Sequence, residues 1–234
     1  MAAFSSLYRR TNLVATCVAL ALGIGAPAGA ADHEAQFWLT GAAKFDIEER
    51  WTATIEAQGR YGDTFERLVQ ARIGAGADYA LNSSVTLGGG YYFINSDKNN
   101  APDKREHRFW QHMNWRVGEI GSAALTSRTR VEERMRESEQ AAAWRIRQSL
   151  KLTAPLRDGA KTNLYGGGEV IFNLNETTWA GDAGLNEFRF VTGVATPISK
   201  SVMADLGYLA RFNPRDEAEM RITHIVMLTF TVQP

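Results

Sequence analysis

The sequence predicts an all-β fold: a transmembrane antiparallel up-and-down β-barrel of ten to twelve strands. Three observations carry this. Apolar and polar residues alternate along almost the whole chain, the alternating runs are mostly ten to twelve residues long, and only turns and loops separate them. In a strand, successive side chains point to opposite faces, so such alternation gives one apolar and one polar face. A tilted strand needs about ten residues to cross a bilayer core, roughly twice the usual strand of a soluble sandwich. A closed sheet with a greasy outside and a wet inside fits all three.

The N-terminus supplies an address. Arg9 and Arg10 form a positive n-region, an apolar run extends from Leu13 to Ile24, and Ala28-Gly29-Ala30 offers small residues for cleavage. Residues 1–30 therefore read as a cleaved secretory signal peptide, and 31–234 as a single outer-membrane β-barrel domain. Cys17 does not mark a lipoprotein, because Thr16 precedes it and most of the apolar run follows it. Removal of the signal leaves no cysteine, which excludes disulfides, thiolate metal sites and a cysteine nucleophile. Lys and Arg number 26, as do Asp and Glu; losing Arg9 and Arg10 leaves the mature chain at about −2. That balance excludes a basic nucleic-acid binder. The mean hydropathy of −0.27 suits a barrel, since only every second residue meets lipid.

Eleven strands can be read in order. The first, 35–45, follows the signal. The second, 51–61, alternates strictly: Trp51, Ala53, Ile55, Ala57, Gly59 and Tyr61 lie on one side, with Glu56 and Arg60 on the other. The third, 68–79, turns Arg72 and Asp78 inward, and the fourth, 84–95, carries Gly88-Gly89-Gly90. Glycine runs in strands mark bends or close approach to a bulky neighbour, here an inward Trp110. The fifth, 105–116, brings Glu106, Arg108 and Arg116 inward. The sixth, 123–135, has the densest row, Arg128, Arg130, Glu132 and Arg134. The seventh, 143–152, adds Arg145, Arg147 and Lys151, and the eighth, 163–172, adds Glu169 after Gly166-Gly167-Gly168. The ninth, 185–195, contributes Glu187 and Arg189, the tenth, 202–212, Asp205 and Arg211, and the eleventh, 221–232, ends near the C-terminus.

Short turns at 82–83, 118–121, 155–159 and 197–200 alternate with longer polar connections at 96–104, 137–142, 173–184 and 213–219. Barrels of this class keep short turns in the periplasm and longer loops outside. On that assignment 47–50 is a periplasmic turn, and the first strand runs down like the last. Eleven such strands do not close in the usual even-numbered way, which favours twelve: a strand is missed or split, or the first segment lies partly outside the barrel. None of the loops is long enough to favour a receptor or adhesion barrel.

The inward face defines the candidate site: Glu56, Glu106, Arg108, Arg128, Arg130, Glu132, Arg134, Arg145, Arg147, Glu169, Glu187 and Arg189. On the lipid face each basic residue would cost about 2–4 kcal/mol near the midplane. Acidic and basic residues at matching heights on adjacent strands form cross-strand pairs, so a salt-bridged lumen is expected. Basic residues outnumber acidic ones, so a pore would favour small anionic solutes. Outside, Glu133 sits near the extracellular end, while Gln111 and Gln148 break the pattern; a bulge or parity switch would move them.

The order of these motifs resembles a known family. Glu106-x-Arg108, the Arg128 to Arg134 row, Arg145-x-Arg147, Glu169, Asn186-Glu187-Phe188-Arg189, Gly207-Tyr208-Leu209 and His224 are similar to the bacterial domain-of-unknown-function family 2490. The similarity covers essentially the whole mature chain. It implies an outer-membrane β-barrel and brings no substrate or catalytic residues.

An enzyme reading rests on His107 and His224, which parity turns outward near the extracellular end, where a lipid-modifying barrel hydrolase would carry its site. Ser127 is too deep in its strand and Ser138 lies in a loop, so no serine stands at the needed spacing. His107 and His112, five apart on one strand, face opposite sides and cannot share a metal ion. The glycine triplets lack the following helix and lysine of a phosphate loop. The expectation is therefore a non-enzymatic outer-membrane barrel, structural or a narrow passive pore, with no cofactor and no metal. Its expected partners are outer-membrane lipids, lipopolysaccharide and the barrel-assembly machinery.

Overall fold

A computed structural model describes residues 32–62, 65–97, 101–214 and 220–234. The signal peptide read at 1–30 lies outside the described residues. Among the described residues eleven strands follow one another without a helix: β1 (Asp32–Glu48), β2 (Trp51–Gly62), β3 (Arg67–Ala80), β4 (Val85–Ser96), β5 (Lys104–Ile120), β6 (Ala123–Arg136), β7 (Ala143–Pro155), β8 (Asn163–Asn173), β9 (Gly184–Pro197), β10 (Val202–Pro214) and β11 (Met220–Val232). They form one closed barrel in which each strand pairs with its chain neighbours.

The count is eleven, not twelve, and the first strand belongs fully to the wall. β1 and β11 pair in parallel over twelve residues, from Asp32 opposite Arg221 to Ala43 opposite Val232. A parallel pair ordinarily needs a long crossover connection. Here the two strands are the first and last of the described residues, joined through the nine strands between them, and an odd number of strands closes. The other ten interfaces are antiparallel.

The strands run past their expected ends, most clearly in β5. It continues through Gly118 to Ile120, shifting register between Arg116 and Gly118, so the turn shrinks to Gly121 and Ser122. Gly121 has φ of +63°, the left-handed conformation such a turn needs. At the next short connection on the same end, Asn82 Oδ1 accepts from the backbone N–H of Ser84 and of Val85, at 2.8 Å each. A side-chain oxygen that mimics a backbone turn in this way explains why Asn serves there.

The apolar face looks outward. Leu39, Ile55, Ile73, Leu87, Met113, Leu150 and Leu206 are all exposed. A surface of that kind calls for hydrocarbon. Aromatic rings stand at both rims: Trp51 and Tyr79 lie 5.0 Å apart at the short-turn end, and Phe37 stands near Tyr61 and Phe65 at the other. Gln111 and Gln148 stay outward, because the β5–β6 and β6–β7 ladders run unbroken past them. Gln148 is satisfied locally instead. Its Oε1 accepts from Thr129 Oγ1 at 2.6 Å, and its Nε2 donates to Ser127 Oγ at 2.8 Å.

Glycines make room for two inward aromatic rings. A Cβ on Gly76 or Gly90 would come within 2.5 Å of the Trp110 ring, and one on Gly193 or Gly207 would meet the Tyr165 hydroxyl at 2.4 and 2.6 Å. The close-approach reading of Gly88-Gly89-Gly90 thus holds at Gly90.

The parallel seam is testable because the barrel's residues, 32–234, include no cysteine. Thr40→Cys with Thr229→Cys, which are Cα partners across β1 and β11, is expected to cross-link on mild oxidation, as the Thr40→Cys, Gln58→Cys pair across β1 and β2 should. Cross-linking of the second pair alone, read by gel mobility, would refute parallel closure.

Candidate functional site

Eleven of the twelve predicted residues join into one network spanning β5 to β9. Glu132 is its hub and has no solvent-accessible surface. Its carboxylate accepts from Arg145 Nε at 2.5 Å and Arg147 Nη1 at 2.9 Å, with Arg108 at 3.7 Å and Arg130 at 3.9 Å. The registers explain the convergence. Arg145 is directly opposite Glu132 on β7, and Arg147 opposes Arg130 one inward step away.

Two further glutamates extend the cluster. Glu106 accepts from Arg134 Nε and Nη2, both at 2.9 Å, in a fork, and from Arg108 at 2.6 Å. Glu169 accepts from Arg147 at 2.7 Å, with Arg128 and Arg189 each at 3.2 Å. Glu187 pairs with Arg189. Bidentate Arg–carboxylate pairs combine strength with fixed orientation, so they brace adjacent strands as well as neutralise charge. Glu56 stands apart from the network and pairs with Arg72 on β3.

Other inward groups divide by height. Towards the short-turn end, Tyr165 donates to Asp205 at 2.6 Å and Lys151 lies 4.1 Å over the Tyr165 ring. His112 meets Asp78 at 2.8 Å and stacks 5.1 Å from Trp110. Arg116 is not part of this interior. It is exposed beside the turn and pairs with Glu119. Towards the long-loop end the lumen holds a cavity of about 870 Å³. It extends from the rim at Arg67, Asp97 and Lys104 down to Glu56 and Thr229.

Sequence reasoning missed part of that cavity. Trp38, under Arg60 at 3.9 Å, is an inward residue of β1 that parity alone could have found. Trp179 could not be found that way. It lies in the β8–β9 connection, donates to the Ala141 carbonyl at 2.9 Å, and places its ring 4.9 Å from Arg134 and 4.4 Å from Arg136. That connection therefore folds over one side of the mouth.

His107 and His224 are outward, as parity predicts. His107 Nδ1 lies 2.7 Å from the Tyr91 hydroxyl, and His224 Nδ1 lies 2.6 Å from that of Tyr208. The other nitrogen of His224 meets His33 at 3.0 Å. Among the described residues no serine is hydrogen-bonded to either ring. His107 and His112 point to opposite faces, and no group of three potential metal ligands occurs among the described residues.

Breaking a buried ion pair by removing one partner costs about 3–5 kcal/mol, whereas an exposed pair is worth about 0–1 kcal/mol. Glu132→Gln is therefore expected to lower unfolding stability by roughly the former amount. Glu119→Gln should stay within the latter, measured by urea unfolding from lipid vesicles.

An uncharacterized protein of Methylorubrum extorquens is 26% identical over 229 residues, which is 97% of this chain and 100% of that protein. Two solved structures share weaker likeness. One, from work on the in-meso crystallization of membrane proteins, has 14% identity and a TM-score of 0.39, covering 73% of this chain and 68% of the other. The siderophore receptor PirA of Pseudomonas aeruginosa has 11% identity and a TM-score of 0.28, covering 70% and 31%. Likenesses this weak leave the barrel's own geometry to define its fold. The family described as "Protein of unknown function (DUF2490)" matches residues 35–221, most of the chain, and the chain belongs to it.

Proposed function

We propose that this chain is a bacterial outer-membrane β-barrel with a passive role, a narrow and internally braced conduit that favours small anions. The observation that carries this reading is the imbalance of the lumen network. Seven arginines surround four glutamates in it, and the large cavity towards the long-loop end is bordered by further basic residues, Arg60 and Arg211. Rings of basic side chains select anions by raising their local concentration and repelling cations. The exposed apolar band and its aromatic rims support a membrane setting among outer-membrane lipids and lipopolysaccharide. On this reading, a signal peptide directs export and the barrel-assembly machinery inserts the mature chain.

A lipid-modifying hydrolase is the competing reading. It would need a nucleophile beside an outward histidine, and the hydroxyls that meet His107 and His224 are the phenols of Tyr91 and Tyr208. Those pairs fit better as polar groups at the membrane rim, where amphipathic side chains are favoured.

Reconstitution in planar bilayers tests the passive reading. Small, anion-selective currents are expected, and large, steady, cation-selective channels would overturn it. Deleting the gene should leave lipid A and phospholipid profiles unchanged. A specific lipid change, restored by the wild-type gene and not by a His107→Ala, His224→Ala variant, would establish the hydrolase instead.

A further inference from the structure

The ion pairs of the lumen leave one side unbalanced. Beyond the β5–β9 network, Arg60 on β2 and Arg211 on β10, the latter directly beside Arg189, have no carboxylate within ion-pair distance among the described residues. Arg60 spends its Nε on Gln58 Oε1 at 2.7 Å and rests its plane 3.9 Å over Trp38. Gln58 in turn donates to Thr40 at 2.9 Å, and Trp38 donates to Gln36 at 2.9 Å. The guanidinium is thus held from one side, with both terminal nitrogens free to bond elsewhere. The strongest charges acting on it are those of Arg72, Arg189, Arg108 and Arg211, all positive. Arg211 donates to Thr223 at 3.0 Å, and its Nε is buried without an acceptor. Glu187 and Glu34 act on it only at longer range.

Even a half-buried guanidinium, as Arg60 and Arg211 each carry, is costly without a counter-ion in contact, and a cation–π contact offsets that cost only in part. Two such groups border the same cavity of about 870 Å³, within the usual size of small-ligand sites, roughly 300–1,000 Å³. The cavity also offers Gln36, Thr40, Gln58 and Thr229 as neutral hydrogen-bonding groups. Arginine forks match the paired oxygens of phosphate and carboxylate groups. Arg60, with no carboxylate in contact, and Arg211, reached by Glu187 and Glu34 only at longer range, call for an occupant with more than one negative charge. A monovalent ion such as chloride would leave one of them unmatched.

We infer that this cavity is a binding site for a small multivalent anion, a phosphorylated or polycarboxylate solute, held between Arg60 and Arg211. The inference rests on the proposed anion-favouring lumen and names the class of solute that the lumen receives. Binding does not require ion flow, so the two can be tested apart.

The test uses the full mature barrel in detergent at low ionic strength, titrated calorimetrically with inorganic pyrophosphate and, separately, with citrate. Saturable one-site binding is expected for at least one probe, and which one binds assigns the phosphate or the carboxylate class. Arg60→Gln and Arg211→Gln should each weaken it by about tenfold or more, while Arg157→Gln, in an exposed turn, should not. Because a lumen variant could fail to fold, the unaltered barrel provides a second readout. The bound anion should change tryptophan fluorescence through Trp38, and the change should vanish in Trp38→Phe. Absence of saturable binding by either probe, or wild-type affinity in the Arg60→Gln, Arg211→Gln double variant, would overturn the site. Cation-selective current from a barrel that binds pyrophosphate would sink the pore reading and leave the site standing. Anion-selective current without binding would do the reverse.

Discussion

Closure of the sheet is the constraint on which the rest of this molecule depends. A wall whose outside is apolar cannot leave a row of backbone N–H and C=O groups unpaired, because nothing in hydrocarbon would satisfy them. With eleven strands the two edges run in the same direction, so only a parallel ladder can join them, and β1 and β11 form one. That ladder fixes which face of every strand looks inward. A one-residue slip of β6 would exchange its faces and carry Arg128, Arg130, Glu132 and Arg134 into the surroundings of the barrel.

Once the inward face is fixed, its charges must be reconciled in a confined space. On the β5–β9 side they are reconciled with one another, with Glu132, Glu106 and Glu169 each accepting from several arginines. Such pairs are weak evidence of net stabilisation, since desolvation opposes the Coulomb attraction. Their clearer effect is to brace neighbouring strands at a fixed height. Lower in the barrel, Trp110 and Tyr165 occupy the interior, each accommodated by glycines on neighbouring strands. The side formed by β10, β11, β1 and β2 is different: amides, hydroxyls, Glu34, Glu56 and two arginines without a carboxylate in contact border open volume there. The molecule thus has a braced wall and an open, basic wall.

The outer surface follows the same economy of local satisfaction. Gln148 is matched by Ser127 and Thr129, and His107 and His224 by tyrosine hydroxyls. Polar groups on this face are tolerated where cross-strand partners stand directly beside them, so a parity rule alone marks them as errors when they are not. Gln111 is the exception: it is exposed and faces the small groove between Phe109, Glu133 and Trp144.

The sequence by itself determined the barrel, the segments that form its strands, most of the inward and outward sets and the identity of the charged network, but not the count: the usual even closure favoured twelve strands where eleven close. Period-two alternation is a local property, and each strand displays it independently of its partners. Even the direction of the first strand, parallel to the last, was legible from the alternation of short turns and long loops. Tertiary structure alone decided that those two strands pair, because edges meet only when the whole sheet curls. It also decided which arginine meets which glutamate, since that depends on the stagger between strands. Arg60 and Arg211 are indistinguishable in sequence from their paired neighbours. Their lack of a carboxylate, and the position of Trp179 over the mouth, arise from distances across the lumen that no single strand encodes.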